Sequence, residues 1–187
     1  MKVKEFGVQQ RIEEIRRALE VDMPISALSL ALTIPDICGK IENLAENDKA
    51  NFIAWFDKYI TPQYLPQQYI DNNDDLQLSK KRAMTGTRCY GLRCAVLHTG
   101  NEDIEEKHQD PINEVGDKQC FTVKLINDPE NEVVYSTLHH DTNIVEVEFY
   151  LNFQKFCERI CKAAELTLQN YPHESDLYCM RLYRYES

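Results

Sequence analysis

The chain has 187 residues, 43% of them hydrophobic, which is enough to bury the core of one globular domain. Its formal net charge of −10 excludes a protein that binds nucleic acid through a broad basic face, although it leaves room for a small cationic pocket. The seven cysteines, an odd number, are too dilute for a secreted disulfide scaffold and predict reduced thiols, most of them in the core.

Apolar residues recur at helical spacing through the first part of the chain. Residues 2–21 predict an amphipathic helix. A second helix is expected from Pro24 to about Asn47, kinked at Pro35 because proline removes a helix hydrogen bond. Asn47 or Asp48 can cap a third helix. No apolar run reaches the roughly 18 residues that a membrane span needs, so we expect a cytoplasmic protein with no membrane contact.

A fourth helix is predicted after a loop. The loop is predicted over residues 61–78, because this stretch contains two prolines and a cluster of Asp and Asn. Ser79 can start the helix, and Gly100 is expected to end it, because glycine readily adopts the left-handed conformation of a C-terminal cap.

After a polar loop, the spacing of hydrophobic residues changes from the helical repeat to every second residue. This alternation predicts a β element over about residues 119–150. Residues 120–127 and 133–140 predict a β-hairpin around Asp128-Pro129, and residues 143–150 alternate again.

Helical spacing returns in a last long helix over residues 152–170, which Asn152 can cap, and the tyrosine-rich tail is expected to form a final strand. Helices over about 2–100 and 152–170 therefore dominate. We predict a mainly α fold in a single domain of residues 1–187, with a small antiparallel β-hairpin inserted before the last long helix.

The predicted fourth helix carries Arg93 and His98, five positions apart in the run GTRCYGLRCAVLHTGN. Arginine donates two parallel N–H bonds to phosphate oxygens, and histidine transfers protons near pH 7. In a regular α-helix the two side chains lie roughly 140° apart, so they converge only where the helix meets a second surface, most simply that of a second copy. The pair suits metal-independent RNA cleavage, but an ordinary helix end with a solvated arginine stays open.

The segment LRCAVLHTG, closed by Gly100, resembles the signature of the HEPN superfamily (higher eukaryotes and prokaryotes nucleotide-binding domains). That signature is an arginine, four to six residues and a histidine on one helix of an all-α bundle. The earlier segment SLALTIPDICGKIE is similar to a proline–aspartate–isoleucine–cysteine stretch in an early helix of bacterial HEPN-like proteins. Together the two segments cover a few dozen residues.

The resemblance implies a HEPN-like helical bundle that works as a homodimer and cleaves RNA without metal, in bacterial anti-phage defence or a toxin–antitoxin pair. Arg93 and His98 match the motif and would be catalytic, and an antitoxin or a nucleotidyltransferase would be the partner. Cys94 stands where the family often has a polar residue. This departure favours the alternative, a non-catalytic HEPN-like module that binds a nucleotide or a protein.

Four further residues are expected to support the pair. One is Cys94, which follows Arg93 directly and is the departure just described. Each of the other three has a second interpretation. Asp36 can hydrogen-bond Arg93 or relieve unpaired backbone groups near the preceding proline. Arg88 can widen a phosphate site, or be a solvated cation or the partner of an acidic residue. Tyr90 can stack on a base, or lie in the core or a dimer interface.

We expect neither a metal nor a cofactor. Cys89, Cys94 and His98 have a spacing that matches none of the usual zinc patterns, with no obvious fourth ligand. The six glycines are isolated and form neither a dinucleotide-binding motif nor a phosphate-binding loop.

Overall fold

The computed structural model describes residues 2–65, 83–100, 104, 118–127, 136–141, 144–173 and 178–184. Within these ranges the chain is mainly helical with two small sheets, which confirms the predicted fold class at that level. The fold divides into two compact units, Met1–Trp55 with Cys157–Ser187 (unit 1) and Phe56–Phe156 (unit 2). The expectation of a single domain stays a prediction.

The described helices are α1 Val8–Glu20, α2 Pro24–Ala31, α3 Ile34–Glu42, α4 Asp48–Tyr59, α5 Gly86–Cys94 and α6 Phe153–Asn170. A 3-10 turn, Thr61–Tyr64, follows α4, and a π-helical turn, Ala95–Thr99, continues α5. The strands are β1 Lys2–Phe6, β2 Lys118–Ile126, β3 Ser136–Asp141, β4 Ile144–Asn152 and β5 Met180–Arg184. The predicted start of the fourth helix at Ser79 lies outside the described residues.

The N-terminal segment of unit 1 is a strand, so the prediction of a helix from residue 2 is wrong. Strand β1 pairs antiparallel with β5, the final strand that was expected in the tail, and Lys2 lies opposite Arg184. Helical periodicity does not reveal this pairing because the partner strand lies at the other end of the sequence. Helix α1 then begins after Gly7, whose N–H donates to Gln10 Oε1 over 2.8 Å.

The single kinked helix predicted from Pro24 is instead two helices, separated at Leu32 and Thr33. Pro35 lies in the first turn of α3 rather than at a kink, because a missing N–H costs little where no helix hydrogen bond would form. Helix α3 also packs against the backbone of α4. A Cβ at Gly39 would lie 2.4 Å from the carbonyl oxygen of Asn51, so this contact requires glycine.

One stretch reaches the length and hydropathy of a membrane span. Residues Pro24–Glu42 number 19 with a mean hydropathy of 1.2, so the expectation that no apolar run is this long is wrong. Half of the stretch is buried inside the protein, and it is divided between α2 and α3, as is typical of core helices. The cytoplasmic location stays a prediction.

A buried polar chain crosses the core of unit 1. Trp55 Nε1 donates to Thr167 Oγ1 over 2.9 Å, and Thr167 Oγ1 donates to Glu42 Oε1 over 2.6 Å.

Burial raises the pKa of the Cys161 thiol to about 12, and it also raises the pKa of the Cys38 thiol. These cysteines are free, as the sequence predicts, and their protonated thiols pack as small apolar groups.

Unit 2 contains a three-stranded sheet of order β2-β4-β3. The predicted hairpin between the first two of these strands is wrong, because β4 lies between them, parallel to β2 and antiparallel to β3. Alternating hydrophobicity marks each strand but not its partner. The buried face of the sheet holds Val123, Phe149 and Leu151. The ring of Tyr64, from the 3-10 turn, meets that of Phe149 edge-on at 5.9 Å.

Two predicted helix caps are confirmed. Asn47 Oδ1 accepts a 2.9 Å hydrogen bond from the N–H of Ala50 at the start of α4. Asn152 Oδ1 likewise accepts a 3.1 Å hydrogen bond from the N–H of Lys155 at the start of α6. Each side chain satisfies a donor that has no partner within its own helix.

Candidate functional site

Helix α5, which carries the candidate site, buries one side and leaves the other accessible. Its buried residues are Gly86, Arg88, Cys89, Gly91 and Leu92. Tyr90, Arg93 and Cys94 are half-buried, while Leu97 and His98 are exposed. We call this second set the motif face. Arg93, in α5, and His98, in the π-helical turn that continues it, are therefore both at least partly open to solvent.

The end of α5 departs from the regular helix that the sequence analysis assumed. Residues Ala95–Thr99 form a π-helical turn, in which the N–H of Gly100 donates to the carbonyl of Ala95 over 3.0 Å. A π turn holds more residues than an α turn, so each residue advances less around the axis. Arg93 and His98 are therefore closer in direction than the roughly 140° of a regular α-helix.

Gly100 ends the helix in the left-handed conformation, with φ 71° and ψ 21°, which confirms the predicted C-terminal cap. At the other end, Thr85 Oγ1 accepts a 3.3 Å hydrogen bond from the N–H of Arg88. Both ends of the helical segment that carries the motif are thus capped.

Arg93 lies over the aromatic ring of Tyr90, with 5.6 Å between the guanidinium carbon and the ring centroid. This cation–π contact restricts the directions that the guanidinium can take. Tyr90 is half-buried on the motif face, so its ring also remains partly accessible. The predicted base stacking by Tyr90 stays a prediction.

Arg88 is not on the motif face. Its side chain is completely buried, and Nη1 donates a short hydrogen bond to the carbonyl of Ala83, just before α5. The interpretation of Arg88 as a solvated cation is therefore wrong. The expectation that Arg88 widens a phosphate site, and the alternative that it pairs with an acidic residue, stay predictions.

Asp36 belongs to unit 1, where it lies half-buried in the first turn of α3. A carboxylate is favourable at this end of a helix because the backbone N–H groups point toward it. The pKa of Lys40 is raised mainly by its hydrogen bond to Asp48, with a smaller contribution from Asp36. The hydrogen bond expected between Asp36 and Arg93, in unit 2, stays a prediction.

Cys94, the departure from the family pattern, is half-buried on the motif face, whereas Cys89 is fully buried on the opposite side of α5. The spacing of these cysteines with His98 thus does not correspond to one cluster. In the described part of the chain, no three His, Cys, Asp or Glu side chains come together as metal ligands could.

Two residues that the sequence analysis did not single out hold the start of α5. Asp57 Oδ1 accepts hydrogen bonds of 2.7 Å from both the N–H of Gly86 and the hydroxyl of Thr61. The Thr61 hydroxyl also lies 3.1 Å from the carbonyl of Met84. The only sequence signal is an aspartate and a threonine four positions apart where α4 ends, a pattern too common to indicate a site.

No protein-family model matches the chain, and no curated protein or solved structure matches it significantly. The HEPN resemblance therefore stays a prediction that rests on the two quoted segments. What the structure adds is local: the arginine and histidine of the motif share one accessible face, and the turn between them is π-helical.

Proposed function

We propose that this protein is a metal-independent endoribonuclease of the HEPN type, active as a homodimer in the bacterial cytoplasm, in anti-phage defence or a toxin–antitoxin pair. The observation that carries the proposal is the motif face, where Arg93 and His98 are accessible on one helix. The π turn lends support, because such turns inside α-helices are frequent at functional sites.

The chemistry assigns each residue a role at the scissile phosphate. The 2′-oxygen attacks phosphorus and the bond to the 5′-oxygen breaks, which leaves a 2′,3′-cyclic phosphate and a free 5′-hydroxyl. His98 removes the proton from the 2′-hydroxyl or donates one to the leaving oxygen. Arg93 donates two N–H bonds to the non-bridging oxygens and so stabilises the charge that develops there.

A homodimer fits this mechanism for a simple reason. One imidazole cannot remove a proton and donate another in the same step, whereas two copies supply two histidines. Two arginines on facing helices would also concentrate positive charge within a chain of net charge −10. Such a protein would bind RNA where the two motif faces meet and repel it elsewhere.

Purified protein tests the proposal directly. In the presence of EDTA we expect it to cut RNA and leave cyclic phosphate ends, and we expect His98→Ala and Arg93→Ala each to abolish the cleavage. Matched controls are His173→Ala and Arg17→Ala, which remove an exposed histidine and an exposed arginine outside α5 and should cut normally. Full activity of the His98→Ala protein would rule out the assignment.

The motif face also favours a second candidate function, a non-catalytic module that binds a nucleotide or a protein such as an antitoxin or a nucleotidyltransferase. Cys94 lies half-buried on this face, where the family often has a polar residue, and this departure favours binding without cleavage. Growth separates the two functions. An active ribonuclease expressed alone should slow bacterial growth, and Arg93→Ala should restore it; harmless wild-type protein that cuts no RNA supports the module.

A further inference from the structure

We infer that Asp57 is a positioning residue for the Arg93–His98 pair and that it acts through the first turn of α5. This inference rests on the proposed ribonuclease function, and it concerns a residue on α4, outside the helical segment that carries the proposed chemistry. Asp57 lies near the end of α4 and is exposed, so it neither fills the core nor lies on the motif face.

The Asp57 carboxylate joins two separate segments of unit 2. Its Oδ1 accepts from the N–H of Gly86, the first residue of α5, over 2.7 Å. The same oxygen accepts from the hydroxyl of Thr61, also over 2.7 Å, and that hydroxyl lies 3.1 Å from the carbonyl of Met84. Gly86, where the motif helix begins, is thus held by a side chain from the end of α4, and the Thr61 hydroxyl in the turn that follows α4 orients that side chain.

The hydrogen bond to Gly86 does more than complete the helix cap. Thr85 caps α5 from within the same segment, so its bond to Arg88 stabilises the helix without determining where the helix lies. Asp57 comes from another element, and its bond therefore sets the position of the helix start. Its negative charge is also favourable beside the N–H groups of a first helical turn.

The position of the helix start decides the position of the motif. Arg93 lies seven residues beyond Gly86, which is about 10 Å along the helix axis. A helix this short moves as a stiff unit, so a shift or tilt of its first turn also displaces Arg93 and His98. Catalytic groups that are misplaced by about 1 Å can lose on the order of a hundredfold in rate.

The test compares steady-state RNA cleavage in EDTA by the full-length wild type, Asp57→Ala, Asp57→Asn and Thr85→Ala. We expect Asp57→Ala to lower kcat by about tenfold or more, with KM nearly unchanged. Asp57→Asn keeps an oxygen that accepts both hydrogen bonds and should restore most of the rate. Thr85→Ala is the matched control, since it removes a cap bond from the same turn but leaves the contact with α4 in place.

Thermal unfolding of each variant separates positioning from stability. The inference is supported if Asp57→Ala and Thr85→Ala lower Tm similarly while only Asp57→Ala lowers kcat. Equal kcat losses in the two variants, or a normal kcat in Asp57→Ala, overturn it. Should Asp57→Ala not fold, Thr61→Val, which lacks the hydroxyl, must lower kcat instead. If the wild-type protein cuts no RNA, the proposed function fails and this inference fails with it. That result differs from a normal kcat in Asp57→Ala, which overturns the positioning role alone.

Discussion

The backbone N–H of Gly100 donates to the carbonyl of Ala95, five residues earlier, over 3.0 Å. This bond closes the π-helical turn that contains His98, and Gly100, whose φ is +71°, ends the helix there in the left-handed conformation that glycine adopts without strain. The turn that carries His98 thus depends, at its end, on a glycine that does not itself take part in the proposed chemistry.

Replacement of Gly100 by alanine tests that dependence. Among the described residues other than its chain neighbours, no atom lies within 4 Å of the position of a new Cβ, so the expected cost is conformational strain. We expect Gly100→Ala to lower the free energy of unfolding by about 1 kcal/mol in urea titrations and to reduce RNA cleavage. Gly100→Asn, which tolerates the left-handed conformation better, should retain more of both. An alanine variant as stable and active as wild type would contradict the proposed dependence.

The contact between Arg93 and Tyr90 predicts a graded response to changes of the ring. Tyr90→Phe keeps the aromatic face and should cleave RNA at nearly the wild-type rate. Tyr90→Leu keeps apolar bulk but removes the cation–π attraction, which is worth about 0.5–1 kcal/mol at an accessible site. We therefore expect it to lower kcat several-fold, as measured by single-turnover cleavage. Equal rates in the two variants would show that the ring does not orient Arg93.

The buried chain from Trp55 through Thr167 to Glu42 predicts a stability cost that is independent of any activity. Thr167→Val keeps the shape of the side chain but removes the hydroxyl that serves both partners. We expect the free energy of unfolding to fall by about 1–3 kcal/mol. Thr167→Ser retains the hydroxyl and should cost less, mainly the loss of a buried methyl group. Similar losses in both variants would mean that packing, not the hydrogen bonds, dominates here.

The buried thiols predict that stability falls at alkaline pH. Burial raises the pKa of Cys161 from 9.0 to about 12, so between these values the native state keeps a proton that the unfolded chain loses. The native state then binds more protons, and the free energy of unfolding decreases as pH rises through this range. Urea titrations at pH 8 and pH 10 measure the effect. It should be smaller in Cys161→Ala, and an unchanged difference in that variant would exclude Cys161 as a source.

Features that depend on a few neighbouring residues could be predicted from the sequence. The caps at Asn47, Asn152 and Gly100 are correct because each involves bonds within one turn of its own helix. Arg93 and His98 lie on one helical segment, as their spacing predicts, and their role stays a prediction.

Features that depend on distant segments could not be predicted. The sequence marks strands β2 and β4 by their alternation, but their parallel pairing depends on which apolar faces can be buried together, a property of the whole chain. The burial of Arg88 and the hydrogen bond from Gly86 to Asp57 likewise arise only when separate segments meet. The sequence by itself thus determined where most helical segments lie, three of their caps and the arginine–histidine motif, but not the strand β1 or the division between α2 and α3. Tertiary structure alone decided the strand partners and what holds the motif helix in place, because those interactions join residues that no local pattern relates.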